Sequence, residues 1–328
     1  MPIVKVGASR GEEFNFSYET YGRGQEKLIL IMGFLTPGSK WKRQLEFLEQ
    51  FYDEIEVCIF DNRGVGSTGT PKSSFTTKEM ARDVVELMDH LQWDQAHVLG
   101  VSMGGMISIE LAHYAPKRIK SLILAVTHAG SMAPAKGMAH ITRTLFERSV
   151  TKRAEILLEI LYSATYLAQP HLTQTDKTNK QVLIEDYIES QKTDPQPTLP
   201  AVAGHIRAVM THRVSEKRLN EIKESKIPIL IMTGTKDDLV KSSNSYHLSK
   251  VLEPVDFIVY ENSGHCINIE NYDDFNNAII SHFRKYYSTS LPSTATTTTN
   301  SQSVDSDETS ITINTASENI TINPETEA

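Results

Sequence analysis

Apolar runs recur along the 328-residue chain at 28–32, 55–60, 96–99, 121–126, 229–233 and 256–260. They do not alternate apolar with polar residues, so both faces of the strands they form must be buried. Helical patterns at 41–51, 76–91, 105–114 and 243–251 lie between most of them. Buried strands alternating with helices specify a mostly parallel, doubly wound sheet covered on both sides, an α/β architecture. Residues 12–21 behave differently. Phe14, Phe16 and Tyr18 recur at every second position, which predicts an antiparallel lead-in strand.

The alternation breaks between 128 and 224. Helix-like stretches at 139–150, 152–167, 181–191 and 201–211 follow one another there with no strand between them. This predicts a helical cap inserted over the sheet, dividing the core into 1–127 and 225–287. Most of its apolar positions (Ile141, Leu145, Phe146, Leu157, Leu158, Leu161, Tyr162, Leu167) are expected to pack the subdomain, with a minority lining a substrate pocket. The Pro-rich stretch 194–200 reads as a hinge or rigid turn. From 288 to 328 the chain turns Ser/Thr/Asn-rich and is expected to be a disordered acidic tail, Ile311-Thr312-Ile313 and Ile320-Thr321-Ile322 being the β-favourable exceptions.

Charge narrows the partners. The formal net charge is −8, and residues 291–328 hold six acids and no Lys or Arg, leaving the rest near −2. No basic surface for nucleic acid is implied. Two cysteines, Cys58 in an apolar run and Cys266 beside a histidine, make no disulfide framework and suit a reducing compartment. The start of the chain lacks the apolar core of a signal peptide. The longest apolar run, 28–35 with Gly33 inside, is too short to span a bilayer, so a cytoplasmic location is expected. Gly64-Val65-Gly66-Ser67-Thr68-Gly69 spells a dinucleotide fingerprint, but Thr70-Pro71 follows where a helix should open, and a loop is expected. No histidine or cysteine spacing suits a metal, so neither metal nor cofactor is expected. His113, His205 and His212 are expected to satisfy local hydrogen bonds, although His205 and His212, late in the cap, could approach the pocket.

One pentapeptide carries chemistry. Gly100-Val101-Ser102-Met103-Gly104 joins the strand-like run 96–99 to the helical run beginning at Gly105. A serine on such a turn is strained, with its hydroxyl pushed above the sheet, and flanking glycines let helix and strand approach. A hydroxyl needs a base, and the base needs a carboxylate to fix its tautomer. Residues that follow different strands meet at the sheet's C-terminal edge. Asp237 and Asp238 follow the run 229–233, and Ser263-Gly264-His265 follows 256–260, in the chain order Ser, Asp, His.

The sequence resembles the α/β-hydrolase superfamily, and within it the cap-bearing esterase and lactonase branch that includes 3-oxoadipate enol-lactonase. The resemblance covers 14–287. It is carried by Met32-Gly33-Phe34, Trp41, Asp61-Asn62-Arg63-Gly64-Val65-Gly66, the Ser102 pentapeptide with Gly105, Ile227-Pro228-Ile229 leading to Gly234-Thr235-Lys236-Asp237, and Gly264-His265. It implies a catalytic triad of Ser102, Asp237 and His265, with the backbone N–H groups of Phe34 and Met103 as oxyanion hole. The family's acid stands three residues after the glycine, which selects Asp237 over Asp238. Met32-Gly33 departs from the family's usual His-Gly, and Thr68 replaces a common serine. The spacing His171–Asp176 is found in acyltransferase relatives, but there it includes the triad histidine. Five residues after His265 stands Glu270 instead, which disfavours that branch.

The expected reaction is acyl transfer from a carboxylic ester or lactone of small to medium apolar size, with Ser102 as nucleophile and a neutral His265 as base. Activity should therefore fall on the acid side. Cofactor-free haloperoxidase chemistry and carbon–carbon bond hydrolysis use the same triad. A catalytically silent protein that keeps the fold to bind a ligand is the alternative of another class.

Overall fold

The structure is a computed structural model that describes residues 1–73, 75–130 and 135–287. The expected tail at 288–328 lies outside the described residues. Eight strands are described: β1 (Ile3–Val6), β2 (Phe14–Gly22), β3 (Glu26–Ile31), β4 (Ile55–Phe60), β5 (Ala96–Val101), β6 (Ile119–Ala125), β7 (Ile229–Gly234) and β8 (Asp256–Tyr260). They form one sheet in the order β1-β2-β4-β3-β5-β6-β7-β8. β1 pairs antiparallel with β2 and β2 antiparallel with β4, as the alternation of Phe14, Phe16 and Tyr18 predicts. Every other pair is parallel. β1 escapes sequence reading because it is four residues long and buries only Val4 and Val6.

Helices α1 (Lys42–Leu48), α2 (Thr77–His90), α3 (Met103–Tyr114), α10 (Ser243–Leu252), the short α11 (Ile267–Glu270) and α12 (Tyr272–Arg284) flank the sheet. Successive residues of β3 supply opposite faces. Ile29 and Ile31 join a core with Met106, Ile107 and Leu248, while Leu28 and Leu30 join one with Trp41, Phe275 and Phe283. Each such aliphatic side chain contributes about 1.5–3 kcal/mol on burial. The two-sided burial expected of parallel strands is what makes β5 wholly buried from Ala96 to Val101.

Between β6 and β7 the chain is helical: α4 (Ala135–Phe146), α5 (Val150–Leu161), α6 (Ala164–Ala168), α7 (Asn179–Thr193), α8 (Leu199–Thr211) and α9 (Glu216–Glu224). The helical pattern at 152–167 breaks at Tyr162, because Ser163 accepts a hydrogen bond from Tyr166 N–H and opens α6. The Pro-rich stretch ends where Thr198 caps α8 and Pro200 occupies its first turn, a position that needs no donor. Leu158 and Leu167 are buried as expected. Phe146, expected to pack, ends α4 and is 80% exposed. The side chains of Ile141 and Leu145 lie outside those described. α9 packs against α3 and α10.

The glycine-rich stretch 64–69 is a loop, as its following proline implied. Gly66, at φ 53°, turns around Asp61, and a side chain there would collide with the Asp61 carboxylate. Asp61 accepts Gly38 N–H at 2.8 Å and Ser67 N–H at 2.9 Å. Beside it Arg63, 2% exposed, is clamped by Asp83, which also pairs with Arg10. Among the described residues no helix is long and apolar enough to cross a membrane.

Candidate active site

Ser102 stands between β5 and α3 at φ 58° and ψ −121°. No L-residue relaxes there, and the strain is on the order of 1–3 kcal/mol. The surrounding packing enforces it. A side chain at Gly100 would collide with Ser108 and the Gly104 carbonyl, and one at Gly104 with the Ile31 carbonyl, so α3 lies directly on β3 and β5. Ser102 N–H is held by Ala125 O at 3.0 Å, and Thr127 Oγ1 donates to Ser102 O at 2.8 Å.

Asp237 follows β7 and His265 follows β8. His265 Nδ1–H donates to Asp237 Oδ2 at 2.7 Å, while Asp237 Oδ1 accepts Leu239 N–H at 2.8 Å and Val240 N–H at 2.7 Å. That bond leaves His265 Nε2 as the ring's acceptor. The two loops are in contact: Lys236 N–H donates to Ser263 O at 2.8 Å, and a side chain at Gly234 would collide with the Ser263 and Gly264 carbonyls. Ser102, Asp237 and His265 thus all stand past the C-terminal ends of parallel strands. The structure joins Asp237 to His265 by a hydrogen bond. It shows none between Ser102 Oγ and His265.

The stretch Gly33-Phe34-Leu35 borders the serine. A Cβ on Gly33 would lie 3.2 Å from Ser102 Cβ and 3.6 Å from its Oγ. The loop is held by Asn62 Nδ2 donating to Met32 O at 3.0 Å and by Leu35 N–H donating to His205 Nδ1 at 3.2 Å. Leu35 itself sits at φ 49°. Met103 is the first residue of α3, where backbone N–H groups have no partner within the helix and the helix dipole is positive.

Glu270, which sequence reasoning noted only for its spacing from His265, ties two segments together. One oxygen accepts Ser163 N–H at 2.8 Å and Gly264 N–H at 3.0 Å, and the other accepts Ser163 Oγ–H at 2.6 Å. Cys266 N–H donates to Leu161 O at 2.9 Å. The His265 loop is thereby fastened to the α5–α6 junction. Burial raises the Glu270 carboxyl above its ordinary value and pushes the Cys266 thiol up to about 12, so the thiol beside His265 stays protonated at neutral pH.

The three other histidines that the sequence singles out are hydrogen-bonded, each to a segment distant in the chain. His113 contacts Glu221 at 2.8 Å, and His212 bridges Thr77 Oγ1 at 2.8 Å and His128 O at 3.1 Å. His205 is fully buried and reaches both the Phe34–Leu35 loop and Arg63 O, the latter at 2.8 Å. Neither the Glu270–Ser163 nor the His205 contacts have a local sequence signal, because each joins a side chain to backbone more than a hundred residues away.

The sequence profile of the alpha/beta hydrolase fold matches residues 27–272. The chain belongs to that family. It is 25% identical over 269 residues to 3-oxoadipate enol-lactonase 2 of Acinetobacter baylyi, covering 82% of this chain and 92% of that one. Its fold is shared with a thermophilic esterase from Thermogutta terrifontis (TM-score 0.70, 22% identity, 88% of this chain and 100% of that one). It is shared also with the meta-cleavage product hydrolase of Pseudomonas fluorescens IP01 (TM-score 0.68, 20% identity, 84% and 96%). At those identities the two structures speak for the fold alone.

Proposed function

We propose that this protein is a cytoplasmic serine hydrolase that cleaves a carboxylic ester or lactone of small to medium apolar size, with residues 128–224 as a cap over the site. The observation that carries the reading is the 2.7 Å bond from His265 to Asp237, made by loops that follow β7 and β8, on the same sheet edge as a serine held at positive φ. Ser102 Oγ attacks the acyl carbon as His265 Nε2 takes its proton. The carbonyl oxygen gains the electron pair and is stabilised by the Phe34 and Met103 N–H groups. As the intermediate collapses, the C–O bond to the alcohol breaks and His265 returns the proton to the leaving oxygen. Water, deprotonated by the same nitrogen, then attacks the acyl carbon; the bond to Ser102 Oγ breaks, His265 returns the proton to that oxygen and the acid leaves. The 25% identity to a lactonase supports the lactone as one substrate form.

Labelling with a fluorophosphonate probe, followed by peptide mapping, tests the nucleophile. Modification at Ser102 is expected, and an unlabelled folded protein would remove the reading. Hydrolysis of p-nitrophenyl esters of increasing chain length, beside simple lactones, then sets acyl size.

A further inference from the structure

We propose that His205 is a positioning residue for catalysis: from α8 it fixes the Gly33–Leu35 loop in the shape that aims Phe34 N–H at the oxyanion. The proposal rests on the reading of Ser102 as nucleophile.

Both partners of the His205 ring are backbone atoms whose roles cannot change. Leu35 N–H can only donate, so Nδ1 accepts; Arg63 O can only accept, so Nε2 carries the proton. One neutral tautomer satisfies both. A proton on Nδ1 would set two donors against each other, and burial holds the ring neutral, down to about 4. The far end of the bridge is rigid, because Arg63 Nη2 donates to the buried Asp83 at 2.8 Å. The near end is the strained one. Leu35 adopts φ 49° without being glycine, so this turn needs an external hold. The Phe34 ring packs edge-on against His205 at 5.7 Å, and the Phe75 ring lies tilted to it at 6.0 Å. The loop borders Ser102 through Gly33, so a relaxation at Leu35 moves the neighbouring Gly33–Phe34 peptide and its N–H. A donor displaced by a fraction of an ångström from a developing oxyanion loses transition-state binding and little ground-state binding.

The test compares His205→Ala and His205→Gln with wild type on p-nitrophenyl acetate, rates being normalised to sites titrated with fluorophosphonate. The Gln amide can both accept and donate. For His205→Ala, kcat is expected to fall about tenfold to a hundredfold while KM stays within about threefold, and His205→Gln should recover part of the loss. Should the Ala variant not fold, the Gln variant decides, with a smaller loss in the same direction. A kcat per titrated site unchanged in the folded variants, or a change in KM alone, would overturn the proposal. Amide exchange at Leu35 supplies a readout independent of turnover: it should quicken in His205→Ala, and unaltered protection would also overturn it. A wild type that neither labels nor turns over sinks the nucleophile reading and the catalytic role with it, whereas Leu35 exchange still decides whether His205 holds the loop.

Discussion

Asp237 divides its carboxylate between two tasks, with one oxygen 2.7 Å from His265 Nδ1 and the other held by the Leu239 and Val240 amides. The backbone bonds fix the carboxylate's orientation, so the ring it holds cannot rotate freely. Replacing it by an amide keeps the shape and forces the wrong tautomer on His265. Asp237→Asn is expected to lower kcat by about 10³–10⁴, whereas Asp238→Asn should stay within about threefold. Steady-state kinetics on one ester substrate checks both, and equal losses would contradict the assignment.

Ser102, the proposed nucleophile, is also a strained residue. Glycine accepts φ 58° and serine does not. Ser102→Gly is therefore expected to abolish fluorophosphonate labelling and yet stabilise the fold by roughly 1 kcal/mol, while Ser102→Ala abolishes labelling without that gain. Urea unfolding of the two variants gives the comparison, and a Gly variant no more stable than the Ala variant would argue against strain at the elbow.

The pairing of Asp83 with Arg63 and Arg10 shows what holds the loop after β4. Asp83 is 1% exposed and Arg63 2%. Asp83→Ala leaves two guanidinium groups without their shared anion, one of them deep in the protein, and should destabilise by about 3–5 kcal/mol. A loss below about 1 kcal/mol in chemical denaturation would show that the network contributes little.

Stability should fall as the solution is acidified, before most carboxylates titrate. Burial lowers His128, His205, His212 and His282 from 6.5 to about 4. Above pH 6.5 both folded and unfolded chains hold these rings neutral, and their contribution is fully present. Between 6.5 and 4 the unfolded chain binds protons that the folded one does not, so stability is lost as pH drops through that window. One such ring represents up to about 3 kcal/mol. The raised carboxyls of Asp61 and Glu270 act in the opposite sense and reduce the slope. Unfolding measured at pH 7 and pH 5 should differ by several kcal/mol, and His212→Gln should narrow the gap. Equal stability at the two pH values would refute this.

The sheet was legible because its central strands are buried on both faces and so are written as unbroken apolar runs; β1, with two buried residues, leaves no such mark. α12 was missed although Phe275, Ile279 and Phe283 repeat every four residues, since Asn276, Asn277 and His282 dilute the pattern. That Ser102, Asp237 and His265 stand past strand ends could be read from the apolar runs before them, whereas the preference for Asp237 over Asp238 came from the family pattern and not from chain geometry. Glu270 and His205 could not be read in the same way. Each lies in an unremarkable helix, and what it touches is decided only when distant segments dock. The break at Tyr162 is intermediate: Ser163 is a competent cap, but a sequence offers many serines and only packing chooses among them.

Two internal parts of the helical segment are attached to the loops of the candidate site, the α5–α6 junction to the His265 loop through Glu270 and α8 to the loop beside Ser102 through His205. If residues 128–224 cap the site as proposed, such a cover cannot lift as a loose flap. On that reading, a bulky guest that forces it apart drags the proposed proton acceptor or anion-stabilising amide out of alignment, so poor fit is registered as slow turnover more than as weak affinity. Under the proposed mechanism, discrimination among esters is then found chiefly in kcat.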